Sequence, residues 1–244
     1  MINKELANKL KIFVDFDGTI SFLDVGEAIF HEFGNQDKVN KIIKKLLADE
    51  ISAKQCWISL CESIKKINTN SLNYFIDQLE IDPAFHDFID FCNKNNIDFF
   101  VLSDGFDYYI ERIFQRENFH KVKVYSNKLI ISSENKLIPS FPFLDENCTS
   151  SANCKKNHII ANSSDDDYTI YIGDGNSDKY TVEYCDFIFA KDGLLKYCET
   201  NGITYFPFND FKDVIVKLQN MLSKKRLKKR YQAELKRKEA YMQE

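Results

Sequence analysis

The sequence KIFVDFDGTI, residues 11–20, places two carboxylates at the end of a strand that is otherwise built from apolar residues. The apolar and aromatic residues around Asp15 predict a strand buried in a parallel sheet, and Gly18 supplies the backbone freedom for a tight exit. Asp17 follows Asp15 by two positions. Buried carboxylates lose hydration and repel each other, so this pair predicts a chemical function at the end of the strand.

The composition predicts a folded protein with one domain, or with a core domain that carries an insert. The chain has 244 residues, of which 44% are hydrophobic and 14% aromatic, and this length is enough to bury a substantial core. Its seven cysteines are scattered, and no signal peptide is recognisable, so we expect a cytoplasmic protein with reduced thiols. No apolar run is long enough to predict a membrane span.

The order of predicted elements indicates an α/β fold with an inserted helical domain. Strands alternate with helices through most of the chain, which predicts a parallel sheet with helices on both faces. Residues 22–81 instead have the periodicity of amphipathic helices, which predicts an all-helical cap. We therefore expect a core of residues 1–21 and 82–223, the cap, and a basic C-terminal helix of residues 224–244. Within the core, SDKYTVEYC, residues 177–185, is predicted to be helical.

The C-terminal segment differs in charge from the rest of the chain. Residues 224–244 contain nine Lys or Arg and three Glu, whereas the whole chain has a formal net charge of −4. The body is therefore acidic, and a nucleic acid is expected to bind, if anywhere, through the tail. A thin apolar stripe formed by Leu227, Tyr231 and Leu235 predicts a solvated helix that lies along the body.

Two further predicted strands, IDFFVLS (residues 97–103) and YTIYIGD (residues 168–174), also end in polar residues. In an open parallel sheet, ligands bind beyond the carboxyl ends of the strands. Neighbouring strands would therefore bring together the carboxylates of Asp15, Asp17, Asp174 and Asp178. Mg²⁺ would offset their repulsion, with ligands from carboxylates, waters and a substrate phosphate. Lys155 or Lys156, at the start of a predicted helix, would add a positive charge.

Four motifs in this order resemble the four signature motifs of the haloacid dehalogenase (HAD) superfamily of phosphatases. They are DFDGT, VLSDG, a lysine that opens a helix, and GDGNSD. The resemblance covers about residues 11–210. It implies a Rossmann-like α/β core, Mg²⁺ as cofactor, and hydrolysis of a phosphomonoester through an aspartyl-phosphate intermediate.

The resemblance gives each matched residue a role. Asp15 would be the nucleophile that attacks phosphorus, and Asp17 would protonate the leaving oxygen and then activate the water. Ser103, the Gly105 amide and Lys155 would bind the phosphate oxygens. The metal ligands would be Asp15, the Asp17 carbonyl, Asp174 and Asp178.

Three details of this assignment stay open or depart from the family pattern. Lys155 is preferred to Lys156 because related sequences carry Cys-Lys at this point, as Cys154 and Lys155 do here. Asp178 would bind the metal directly or hold a metal-bound water. Asp104 stands where many relatives have glycine, which adds a negative charge near the expected phosphate site.

The helical insert resembles that of the C1-capped group, which contains phosphoserine phosphatase. DFDGTISFLDVGEAI, VLSDGFDYYI, NCKKNHII and AKDGLLKYC most resemble the methionine-salvage phosphatases that act on 2-hydroxy-3-keto-5-methylthiopentenyl-1-phosphate and their relatives. In such enzymes the cap largely sets specificity. Asp24 and Glu27 would face the substrate there or, as first-turn acids, favour the helix dipole.

The expected function is that of a Mg²⁺-dependent phosphomonoesterase whose partner is a small phosphorylated metabolite, phosphoserine-like or methionine-salvage-like. Transfer of the phosphoryl group to an alcohol stays open, because an alcohol can intercept an aspartyl-phosphate as water does. The alternative is a phosphatase-like scaffold whose tail, residues 224–244, engages RNA, a ribosome or anionic lipid.

Overall fold

The computed structural model describes residues 2–148 and 151–242, apart from the side chain of Asn176. The last two residues of the predicted tail, 243 and 244, lie outside this description. Within the described residues the strands are β1 (Leu10–Asp15), β2 (Asp98–Phe106), β3 (Lys123–Ile131), β4 (Leu137–Ser140), β5 (Tyr168–Gly173), β6 (Phe187–Ala190) and β7 (Phe206–Pro207). They form one sheet in the order β4-β3-β2-β1-β5-β6-β7, antiparallel between β3 and β4 and parallel from β2 to β7. The predicted α/β fold with a mainly parallel sheet is confirmed.

The helices of the described chain lie before, between and after these strands. They are α1 (Lys4–Ala7), α2 (Val25–Phe33), α3 (Gln36–Leu47), α4 (Ala53–Ser63), α5 (Thr69–Asp77), α6 (Ala84–Asn95), α7 (Asp107–Arg116), α8 (Lys155–Ala161), α9 (Asp192–Thr200), α10 (Phe211–Leu222) and α11 (Tyr231–Tyr241). Two short 3-10 turns span Asn176–Asp178 and Val182–Tyr184. Among the described residues, no helix has both the length and the apolar character needed to cross a membrane.

The chain divides into two compact units, the first of which comprises residues 1–20, 81–102 and 155–244. In this unit β1 pairs with β2 on one edge and with β5 on the other. Every position of β1 except Lys11 is buried as a result. The strands β2 to β4 are added on one side of β1, and β5 to β7 are added on the other side, so the strand order reverses at β1. In open α/β sheets, ligands bind at the point where the strand order reverses.

Aromatic side chains from α6 and α10 form much of the core of the first unit. The ring centroid of Phe85 lies 5.7 Å from that of Phe88 and 4.9 Å from that of Phe211. Phe88 also contacts Phe99 of β2, with centroids 5.5 Å apart. Each fully buried phenylalanine contributes on the order of 2 kcal/mol through the apolar area removed from water. This packing fixes α6 and α10 to the sheet.

The second unit comprises residues 21–80 and 103–154. The predicted cap, residues 22–81, supplies α2 to α5 to this unit, and the boundary of the cap stays a prediction. Trp57 of α4 packs against Phe106, with ring centroids 4.9 Å apart. The helices α2 to α5 start at side chains that accept a backbone N–H, those of Asp24, Asn35, Ser52 and Asn68.

The helix predicted over residues 177–185 is wrong. This stretch forms only the two 3-10 turns. The Arg230 and Arg237 side chains donate to the carbonyls of Val182 and Tyr184. The C-terminal segment thus supplies donors to carbonyls at the end of this stretch.

The C-terminal helix α11 lies along the first unit with a buried face that differs from the predicted stripe. Leu227 is buried just before the helix, whereas Tyr231 and Leu235 are 71% and 40% exposed. Ala233 and Arg237 form the buried face instead. Hydrophobic periodicity does not detect this face because one of its two side chains is an arginine.

Candidate active site

Three carboxylates meet beyond the carboxyl ends of β1 and β5. Asp15 is the last residue of β1, and Asp174 directly follows β5. One oxygen from each of these residues and one from Asp178 lie within 4.8 Å of one another. The parallel pairing of β1 with β5 ends both strands at the same edge, and this places two of the three acids.

Lys155 places its ammonium group among these acids. It is the first residue of α8 and is 1% exposed. Its Nζ donates to Asp15 Oδ1 at 2.6 Å, to Asp178 Oδ1 at 2.6 Å and to Ser177 Oγ at 3.0 Å. Lys156, the other candidate from the sequence, is only partly buried. The structure therefore brings Lys155 to the carboxylates.

Burial and mutual repulsion dominate the protonation of the site. Burial raises the pKa of Asp15 well above its usual range, and the charge of Asp178 adds to the rise. Burial and Asp178 also raise the pKa of Asp174 to about 6, although the Thr19 hydroxyl opposes this. Burial disfavours the charged form of Lys155, but the carboxylates of Asp15 and Asp178 outweigh that effect and raise its pKa. Three acids share one ammonium group, so the site favours a further cation.

Two glycines allow the backbone to approach these acids closely. Gly18 has a φ of +75°, and a Cβ at this position would lie 2.5 Å from Asp174 Oδ2. A Cβ on Gly173 would collide with the Asp178 carboxylate. The Thr19 hydroxyl donates to Asp174 Oδ1 at 2.8 Å. The local sequence thus leaves room for the carboxylates and orients one of them.

The donor set fits a hard divalent cation. Closely spaced carboxylate oxygens are the ligands that such ions prefer, and Mg²⁺ in particular takes one or two carboxylates with waters and phosphate oxygens. Asp178 already accepts the backbone N–H groups of Asp174 and Gly175, at 3.2 and 3.1 Å, besides the Lys155 ammonium. Asp15 and Asp174 have fewer hydrogen-bond partners and are the better placed direct ligands.

Asp17 is outside this carboxylate cluster. It lies in the turn after β1 and is half-buried. The expected use of its backbone carbonyl as a ligand and of its carboxyl as an acid and base stays a prediction.

Ser103 and Gly105 belong to the part of β2 that lies in the second unit. Ser103 is fully buried, and the Gly105 N–H donates to its hydroxyl at 2.9 Å. The amide and the hydroxyl predicted to bind phosphate are therefore neighbours within this unit. Their role towards a phosphate stays a prediction.

Asp104 accepts hydrogen bonds from several groups of the second unit. Its Oδ1 accepts from the Ser151 hydroxyl at 2.8 Å and from the amides of Ala152 and Asn153 at 2.6 and 2.9 Å. Its Oδ2 accepts from the Trp57 indole at 3.3 Å. The extra charge noted in the sequence is thus stabilised by hydrogen bonds from uncharged donors, and the Asp104 carboxylate links α4 to the loop before Lys155.

The two acids expected at the cap have local partners. Asp24 is the N-cap of α2 and accepts from the Glu27 N–H at 2.7 Å. Glu27 lies in the first turn and pairs with His31 at 3.3 Å. These contacts match the helix-terminus interpretation, and a role in substrate recognition stays a prediction.

Comparison of the chain with known proteins identifies its family. The family model described as Putative Phosphatase matches residues 10–199. A 2-hydroxy-3-keto-5-methylthiopentenyl-1-phosphate phosphatase of Bacillus mycoides is 34% identical, over 88% of this chain and 99% of its own length. The Bacillus cereus (strain B4264) protein of the same name is 32% identical over the same shares. The chain belongs to this phosphatase family.

Solved structures support the fold of this phosphatase. A HAD family hydrolase from Salmonella enterica serovar Typhi superposes with a TM-score of 0.69 at 16% identity, over 88% of this chain and 72% of the hydrolase. A phospho-aspartyl intermediate analogue of phosphoserine phosphatase gives 0.65 at 20% identity, over 86% and 98%. The predicted HAD-type fold is confirmed, and so is the predicted resemblance to the methionine-salvage phosphatases. The helix α11 lies beyond the residues that the family model matches.

Proposed function

We propose that this phosphatase hydrolyses a small phosphomonoester through an aspartyl-phosphate on Asp15, with Mg²⁺ as cofactor. The observation that carries the proposal is the buried ammonium of Lys155, 2.6 Å from both Asp15 and Asp178. A nucleophilic carboxylate, a cation beside it and acids for a metal are the parts that in-line phosphoryl transfer needs.

In the first step, a carboxylate oxygen of Asp15 forms a bond to phosphorus while the bond from phosphorus to the leaving oxygen breaks. Asp17 donates a proton to that oxygen. The Lys155 ammonium, fixed beside Asp15, stabilises the negative charge on the transferring group. Ser103 and Gly105 keep the phosphate-binding roles that the family resemblance implies.

In the second step, water attacks phosphorus and the bond to Asp15 breaks, which regenerates the carboxylate. Asp17 removes a proton from the attacking water. Mg²⁺, held by Asp15, Asp174 and the Asp17 carbonyl, would supply charge stabilisation to the phosphate oxygens. Through its hydrogen bonds to Lys155 and to the Asp174 amide, Asp178 would orient the residues around the metal.

The relatives support a proposal for the substrate class. The named Bacillus enzymes share 32–34% identity over almost their whole length, so we propose a small phosphorylated keto compound of the methionine-salvage type before a phosphoserine-like one. Arg230 and Arg237 of the tail donate hydrogen bonds to the Val182 carbonyl and the Asp186 carboxylate, and so attach the tail to the rest of the first unit. We therefore do not extend the proposal to RNA, a ribosome or anionic lipid.

A panel of phosphomonoesters tests the function. The purified protein is incubated with 2-hydroxy-3-keto-5-methylthiopentenyl-1-phosphate, phosphoserine and an aryl phosphate, and released phosphate is measured. We expect kcat/KM on the order of 10⁴ M⁻¹s⁻¹ or more for the best ester, lost in EDTA and restored by Mg²⁺. No release from any ester would overturn the function, whereas a preference for phosphoserine would change only the substrate class.

Mg²⁺ should also raise the melting temperature, because three carboxylates share one ammonium group in this site. At about 100 times the dissociation constant, binding adds about 2.7 kcal/mol, a shift on the order of 5–10 °C for a chain of this size. Scanning fluorimetry with and without EDTA measures it. The Asp174→Asn variant should lose the shift, and Asp166→Asn, an exposed acid, should keep it. An equal shift in Asp174→Asn would contradict the assigned site.

A further inference from the structure

Tyr171 carries a hydroxyl group into the centre of the sheet. It is the fourth residue of β5, is fully buried, and pairs in register with Phe13 of β1. Ile170 and Ile172 on either side are apolar and fully buried. Packing alone would be served by phenylalanine here, and a buried hydroxyl is unfavourable unless it is hydrogen-bonded.

The Tyr171 hydroxyl donates to Asp178 Oδ1. The same oxygen accepts from Lys155 Nζ at 2.6 Å, while Asp178 Oδ2 accepts from the amides of Asp174 and Gly175 at 3.2 and 3.1 Å. Donors therefore hold both oxygens of this carboxylate and fix the plane of the carboxyl group. Asp178 is fully buried, so solvent does not replace a donor that is removed.

These contacts form a continuous chain from Tyr171 through Asp178 and Lys155 to Asp15. Each link is a hydrogen bond between buried side chains. Lys155 has a long flexible side chain, and its Nζ is placed by its two carboxylate partners. If Asp178 turns, the Lys155 ammonium loses one of its three acceptors and keeps only Asp15 and Ser177.

We propose that Tyr171 is a positioning residue of the phosphatase: its hydroxyl fixes the Asp178 carboxylate, and Asp178 in turn holds Lys155 in place to bind the phosphoryl group. This inference rests on the proposed function. It predicts that removal of one oxygen atom from the centre of β5 weakens phosphate binding and turnover without unfolding the protein.

The test compares Tyr171→Phe with Tyr168→Phe. Tyr168 lies in the same strand, and its hydroxyl contacts only the backbone oxygen of Leu227, at 3.3 Å, among the contacts of that hydroxyl in the described residues. Three quantities are measured well below the melting temperature of either variant: kcat, KM, and the inhibition constant of inorganic phosphate. A melting curve is recorded for each protein.

For Tyr171→Phe we expect kcat/KM to fall about 10- to 100-fold. Losses of this size are typical when a residue that orients a site residue by a hydrogen bond is removed. The inhibition constant of phosphate should rise about tenfold, and the melting temperature should fall by only several degrees, because one donor to a buried carboxylate is lost while the fold is kept. Tyr168→Phe should keep all three activity constants within about twofold. Equal constants for Tyr171→Phe and the wild-type enzyme would overturn the inference.

A double-mutant cycle with Asp178→Ala, which removes the acceptor of the Tyr171 hydroxyl, separates positioning from general packing. If Tyr171 acts through Asp178, Tyr171→Phe should lower kcat/KM of the Asp178→Ala enzyme less than threefold. If the two losses multiply, Tyr171 acts independently of Asp178 and the inference is wrong. A wild-type enzyme that hydrolyses no phosphomonoester would instead overturn the proposed function, which distinguishes the two failures.

Discussion

Replacing Asp15 by asparagine should abolish phosphate release, with kcat at least about 10⁴-fold lower, a barrier increase of about 5 kcal/mol. An amide oxygen does not attack phosphorus to form the acyl phosphate, so the first step is lost while the rest of the site stays in place. The measurement is phosphate release from the best ester of the panel. Asp166→Asn, which changes an exposed acid in the same way, should retain wild-type turnover.

The same variant should not be less stable than the wild-type protein in the absence of metal. Burial and the charge of Asp178 raise the pKa of Asp15 above its value in the unfolded chain. When the pKa of a carboxyl group is higher in the folded state than in the unfolded chain, the folded protein loses stability as the pH rises. At neutral pH, Asp15 therefore lowers the free energy of unfolding. Asparagine removes this cost. A melting temperature in EDTA well below that of the wild type would contradict the electrostatic picture, and near wild-type turnover would contradict the covalent mechanism.

The residues that the sequence identified best are those at the ends of strands. Asp15 and Asp174 lie far apart in the chain, yet each follows an apolar run that predicts a buried parallel strand. Since parallel strands end at one edge, their proximity follows from the fold. The sequence left Lys155 and Lys156 both open on physical grounds. Only the direction of the first helical turn of α8 decides between them, and the structure places Lys155 at the acids.

Partners that depend on tertiary contact could not be predicted. The donors to the Asp104 carboxylate come from Trp57 and from Ser151 to Asn153, each almost 50 residues away. The sequence shows the extra charge but not the groups that donate hydrogen bonds to it. Tyr171 has a weak signal, a hydroxyl between the two isoleucines of β5. Tyrosine is common in strands, so this signal does not separate it from a packing residue.

The burial of Arg237 could not be predicted from the charge pattern of the tail. Counted among nine cations of a basic tail, it was expected on a solvated helix, yet it is 1% exposed. Its Nη2 lies 3.2 Å from both oxygens of Asp186, and its Nη1 donates to Thr169 Oγ1 at 2.9 Å and to the Tyr184 carbonyl at 2.6 Å. It therefore attaches α11 to β5 and to the segment that follows the site acids.

Arg237→Met should lower the free energy of unfolding by about 3–5 kcal/mol, because it leaves the buried Asp186 carboxylate without its cationic partner. For a chain of this size that corresponds to a fall in melting temperature on the order of 6–20 °C. Urea unfolding followed by circular dichroism measures the free energy. Lys238→Met is the matched control, since Lys238 is the next residue, is exposed, and pairs only with Glu234 among its ion pairs in the described residues. It should change stability by less than about 0.5 kcal/mol.

The double variant Arg237→Met with Asp186→Asn distinguishes a lost ion pair from lost packing. In the wild-type protein the Thr169 amide donates to Asp186 Oδ2 at 3.1 Å. Asparagine at position 186 keeps an acceptor for this amide and removes the uncompensated charge. If the buried charge causes the loss, the double variant should be more stable than Arg237→Met alone by about 1–3 kcal/mol. If the double variant is less stable than Arg237→Met, the guanidinium contributes through packing and its hydrogen bonds to Thr169 and Tyr184. If Arg237→Met unfolds no more readily than Lys238→Met, α11 does not hold the first unit together, and the tail would be the solvated helix that its charge first indicated.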